Sequence, residues 1–137
     1  MSETNSRART IGYWVTTALV AFAIGSGGAA QLAHLPANVE GTLHLGYPVY
    51  LLTILGVWKV LGTLAVLAPG LPRLKEWAYA GIFFDLTGAV ASHAACGDAV
   101  WHILAPAILA VLALASWALR PQTRMLDSLV GVRGGQA

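Results

Sequence analysis

The chain has 137 residues, 57% of them apolar and 10% charged, with a formal net charge of +2 at pH 7. That length holds one domain at most, and a soluble domain of this size does not carry so much apolar surface, so a lipid bilayer is the expected solvent. The basic residues stand in small groups beside apolar runs, which argues against nucleic acid as a partner, and the single Cys96 excludes an internal disulfide or a multi-cysteine zinc site.

A polar segment at residues 1–10 precedes four apolar stretches, and a polar tail occupies 120–137. Each stretch is near the roughly 20 residues that a helix rising about 1.5 Å per residue needs to cross about 30 Å of hydrocarbon. The first runs from Ile11 to Leu32 and ends in Gly25-Ser26-Gly27-Gly28-Ala29-Ala30-Gln31, small residues that predict a close crossing with another helix or a groove for a head group. Arg7 and Arg9 before it also suit a cleaved signal peptide, but the apolar run is long for one. A loop is expected over 33–47.

The second stretch runs from Pro48 to Ala68, with Pro48 in its first turn, and Pro69-Gly70-Leu71-Pro72 ends it. The third runs from Glu76 to Cys96 and the fourth from Val100 to Leu119, with a kink expected at Pro106. Beyond it, Arg124 to Val132 is weakly amphipathic, as a surface helix would be. Arg7, Arg9, Arg73, Lys75, Arg120, Arg124 and Arg133 all fall on one side of these spans. The positive-inside rule then predicts an all-α integral membrane four-helix bundle over 11–119, with both termini cytoplasmic, in a bacterial-type inner membrane.

Polar residues inside the spans are the candidate functional groups. Lys59 and Asp85 lie at matched depth near the bilayer centre, where an ionised group facing lipid costs at least about 2.5 kcal/mol, so they are expected to pair across the second and third helices. Gly56, Gly62 and Thr63 on one helix and Gly81, Gly88 and Ser92 on the other share their faces, which predicts close contact there. The histidines His34, His44, His93 and His102 gather toward the outer side with Asp98. Imidazole titrates near neutrality, so His93 joins Lys59 and Asp85 as a proton-handling candidate, with Gln31, Glu76, Asp98 and His102 as secondary candidates. No metal site is expected. Cys96 is expected to be a small packed residue, having no basic neighbour in sequence to activate it.

The segments His44-Leu45-Gly46-Tyr47-Pro48, Gly56-Val57-Trp58-Lys59-Val60-Leu61-Gly62, Pro69 to Gly81, Thr87-Gly88-Ala89 and Ser92-His93 resemble the DoxX-like family of small bacterial membrane proteins. The likeness covers about Tyr13 to Leu119. One departure stands at Gln31, where relatives often carry a lysine. The resemblance implies a four-helix membrane bundle and, from related DoxX and DoxD proteins, a link to thiosulfate oxidation coupled to quinone or to assemblies handling oxidative stress. It transfers no catalytic motif. Three functions remain open: a redox-linked subunit binding quinone, with electrons from a partner protein; a small proton- or ion-coupled transporter acting as a homo-oligomer; and a scaffold without chemistry.

Overall fold

Helix α1 spans Glu3–Leu32, and the computed structural model describes residues 3–126. The helix outruns its apolar stretch because no strong breaker lies between Glu3 and Thr10, and Glu3 puts an acid in the first turn, where the helix dipole favours one. After a turn comes α2, Pro36–His44, a helix of 9 residues inside the region expected to be a loop. Pro36 suits its first turn, but α2 buries no residue, so it lacks the apolar period that reveals a helix in sequence.

Helix α3 covers Tyr50–Leu67, leaving Pro48 just outside, where its carbonyl accepts the Leu51 N–H at 3.0 Å. Helix α4 covers Pro72–Cys96 and starts a turn earlier than its apolar stretch, after Gly70 and Leu71 reverse the chain with φ of 68° and 55°. Gly97, at φ 70°, closes α4: its N–H reaches the Ala94 carbonyl and the Asp98 N–H reaches that of His93, the pattern of a left-handed C-terminal cap. Helix α5, Val100–Leu119, is unbroken through Pro106, and a 3-10 turn follows at Gln122–Arg124. The surface helix expected from Arg124 to Val132 lies mostly outside the described residues.

Three helices, α1, α3 and α5, are long and apolar enough to cross a membrane. Helix α4 has the length, at 25 residues, but Lys75, Glu76, Asp85 and His93 dilute its apolar character. The four long helices contact one another in the order α1, α3, α4, α5 and back to α1, with the α3–α4 contact the thinnest. Val20, Ile24, Val66, Tyr79, Ile82, Leu86, Ala110 and Ala113 form the buried core between them. A buried hydroxyl cluster ties three helices together: Ser116 Oγ lies 2.7 Å from Thr17 Oγ1 and 2.7 Å from Tyr79 OH. Each hydroxyl so satisfied avoids the penalty of a lone polar group away from water.

The small residues ending α1 do make a close crossing, and it is with α3. A Cβ on Gly28 would sit 2.8 Å from the Lys59 Cβ, and one on Gly56 would sit 2.9 Å from the Gly28 carbonyl oxygen. Gly25 lies against Thr63 in the same way, at 3.2 Å. The expected close contact of α3 with α4 is not there. A Cβ on Gly81 or Gly88 would meet nothing within 4 Å, because these residues border open space instead of a facing backbone.

Candidate functional site

That open space is a groove of about 730 Å³ between α3 and α4. Trp58, Gly62 and Ala65 line it from α3, and Trp77, Gly81 and Ile82 from α4, so nearly all of its wall is apolar. Lys59 and Asp85 are the charged residues in the wall, and they meet: Lys59 Nζ stands 3.3 Å from Asp85 Oδ2. Both side chains keep 18% of their surface accessible, which leaves the pair partly open toward the groove. Its position follows from local sequence. Gly28 removes a side chain where the Lys59 stem must pass, and the turn of α3 below is held by Thr63 Oγ1, which donates to the Lys59 carbonyl at 2.8 Å.

His93 does not join this pair. It lies two turns along α4 from Asp85, a rise of about 12 Å, and belongs to a second cluster at the end of the molecule where α4 meets α5. There Asp98 accepts from His44 Nε2 at 2.7 Å and from His93 Nδ1 at 2.6 Å, so one carboxylate joins α2 to α4. The hydrogen bonds from His93 and then His44 hold the Asp98 carboxyl below the ordinary carboxylate range. His102 stacks on His93 with ring centroids 5.5 Å apart, and Tyr47 OH donates to Ser92 Oγ at 2.8 Å. Cys96, expected to be packed, is exposed, because α4 ends there and nothing folds over it. Among the described residues no group of three or more His, Cys, Asp or Glu side chains is arranged to hold a metal ion.

Glu76 lies at the opposite end. It accepts from Arg120 Nη2 at 2.6 Å and from Trp117 Nε1 at 2.8 Å, joining the start of α4 to the end of α5. Gln31 makes no side-chain hydrogen bond to these groups, and its Oε1 is buried without a partner among the described residues. Of the other six candidate positions, Asp85 is the one that pairs with Lys59, while His93, Asp98 and His102 gather at one end of α4 and Glu76 at the other.

Sequence reasoning treats Lys75 and Arg124 as flanking charges, whereas both are structural. Lys75 is completely buried and donates to the carbonyls of Ala65 at 2.7 Å, Val66 at 3.1 Å and Ala68, capping the end of α3. Arg124 adds a bond to the Val66 carbonyl at 3.2 Å and one to Tyr13 OH at 3.3 Å. A signal for Lys75 exists in the sequence: Lys75, Tyr79, Ile82 and Leu86 repeat at helical spacing, and all four are buried.

Residues 15–116 match the DoxX-like family. No curated protein and no solved structure matches the chain. The matched segment includes both walls of the groove, the Lys59–Asp85 pair and the Asp98 cluster, so the chain belongs to the DoxX-like family of membrane proteins.

Proposed function

We propose that the chain is a membrane subunit that takes a lipid-soluble quinone into the α3–α4 groove. The observation that carries this reading is an apolar groove whose charged residues are the single pair Lys59 and Asp85. Its volume of about 730 Å³ falls within the roughly 300–1,000 Å³ of small-molecule sites, which are likewise apolar with a few placed polar groups. The residues fit a quinone: Trp58 and Trp77 offer flat apolar surface for the ring and tail, while Lys59 offers a donor to a ring oxygen. Asp85, held beside Lys59, is the group placed to keep or release a proton at that oxygen. A bound quinone supplies reversible two-electron, two-proton chemistry. Electrons come from a partner protein, since the chain has no cysteine cluster to hold an iron–sulfur centre.

The membrane setting of this proposal is four crossings, with α4 as the fourth. A turn of three residues, Gly97 to Ala99, joins α4 to α5, and α4 packs along α5, so a bilayer that contains one contains the other. The basic residues at the Arg120 end support, through the positive-inside rule, a cytoplasmic side for that end and for both termini in a bacterial cell.

Purification in mild detergent, extraction with organic solvent and mass spectrometry test this reading. A quinone is expected at near one per chain, and it is expected to be lost in folded Lys59→Met and Asp85→Asn variants. Quinone content indifferent to both substitutions counts against the site. The ion pair also supports a rival, a proton- or ion-coupled transporter, which would show flux in proteoliposomes that stops when Lys59 is neutralised.

A further inference from the structure

Four cations converge where α3 and α5 end. Lys75 and Arg120 are buried, at 0% and 3% exposure, Arg124 is half-buried, and Arg9 is exposed. Arg9 donates to the Ala118 carbonyl at 3.2 Å and Arg120 Nε to that of Trp117 at 2.9 Å, so this pair caps α5 as Lys75 and Arg124 cap α3. A helix C-terminus carries about half a negative charge. Two such ends and the Glu76 carboxylate offset about two of the four positive charges. Beyond Leu126 the sequence adds one acid, Asp127, and one base, Arg133, whose formal charges cancel. Nearer by, Arg73 adds a cation, and Arg7 and Glu3 offset each other.

Cations that serve only to orient a membrane protein can remain in water at the interface. Here two of them are folded inside, Arg120 paired with Glu76 at 2.6 Å and Lys75 held by backbone carbonyls alone, where charge left over is costly. Arg120 is also fixed in place, with its Nη1 buried and without a hydrogen-bond partner among the described residues. Its guanidinium is packed over the rings of Tyr79, at 5.2 Å, and Trp117, at 5.6 Å, so it cannot swing out to water without losing both.

We infer that this cluster seats a phosphate group, supplied by an anionic phospholipid of the adjacent leaflet. Arg9 and Arg124, the two cations with accessible surface, make the contact, and Lys75 and Arg120 behind them hold the field positive. None of the four cations lines the groove, so the inference does not rest on a quinone there. Arg124 is also packed 5.0 Å from the Trp14 ring, which gives an acyl chain an apolar wall beside the phosphate.

The test measures thermal unfolding of the full chain in mild detergent, with added phosphatidylglycerol, phosphatidylcholine or inorganic phosphate. Phosphatidylglycerol is expected to raise the midpoint saturably, phosphatidylcholine to leave it unchanged, and 1 M salt to weaken the effect. Neutralising Arg9 or Arg124 with glutamine is expected to weaken phosphatidylglycerol binding by about fivefold each. Arg124→Gln also removes bonds to α3 and so risks the fold itself, whereas Arg9→Gln frees only carbonyls at the end of α5 and is the decisive variant. Equal shifts from the two lipids, or unchanged affinity in Arg9→Gln, overturn the inference. A full shift from inorganic phosphate alone supports the phosphate site and overturns the lipid as its source.

Discussion

Helix α3 presents one face to α1 and another to α4, and glycines line both. Toward α1, Gly56 meets Gly28 so closely that a Cβ on Gly56 would stand 2.9 Å from the facing carbonyl oxygen. Toward α4, Gly62 would place its Cβ 3.9 Å from Ile82, and Gly81 faces nothing within 4 Å. The difference lies in what else stands on the two faces. On the α1 side the lysine stem is accommodated by the missing side chain of Gly28, whereas on the α4 side the lysine and Asp85 span the gap and hold the helices apart. Small residues therefore permit close packing, and the large or charged neighbours decide whether it happens.

The sharpest way to break that comparison is to remove one charge. Lys59→Met leaves Asp85 without its partner in a mostly apolar groove, and a loss of about 3 kcal/mol in unfolding stability is expected, at the low end for a buried pair because both side chains are partly accessible. The double variant Lys59→Met with Asp85→Asn is expected to recover most of that loss. Denaturation in detergent of the two single variants and the double completes the cycle, and purely additive losses would show that the pair does not hold the helices.

A smaller effect follows from the tight face. Gly56→Ala forces a methyl group against the Gly28 carbonyl and the Leu32 side chain, and about 2 kcal/mol of destabilisation is expected, read as a lowered unfolding midpoint. Gly81→Ala, the same substitution on the groove face, meets open space and replaces a poor helix former, so a gain of about 0.5–1 kcal/mol is expected. If the two alanines had the same sign, the contrast between the faces of α3 would be wrong.

The parts legible in the sequence are those set by local pattern. Hydrophobic length finds α1, α3 and α5, and matched depth along two helices finds the Lys59–Asp85 contact. The small residues ending α1 reveal a close crossing but not its partner, since several helices present glycines. Helix α2 escapes because a 9-residue helix that buries nothing has no periodic signal. The role of Lys75 escapes because it caps α3, a helix that ends before Lys75 in the chain and meets it only after Gly70 and Leu71 turn back. The partner of His93 depends on how α2 folds over the α4–α5 turn, which no local pattern encodes.

The smallest expected effect concerns that turn, and it separates the Asp98 cluster from the groove. The Asp98 carboxyl titrates below its ordinary value because His93 and His44 donate to it. A carboxyl whose folded pKa is depressed contributes stability that is fully present above its ordinary value, 3.8 here, and is lost as pH falls through the folded pKa. Acidification below pH 3.8 should therefore loosen α2 from the end of α4, since Asp98 accepts from His44 on one and His93 on the other. Hydrogen exchange of α2 amides at pH 5 and pH 3 reads this directly. Faster opening of α2 at the lower pH, beyond the intrinsic change in exchange rate, is expected in the wild type and not in Asp98→Asn, whose α2 should already be loose at pH 5. Because the cluster makes no contact with Lys59 or Asp85, the same substitution should leave quinone content in the α3–α4 groove unchanged. A joint loss of α2 protection and quinone would instead couple the end of α4 to the groove at its middle.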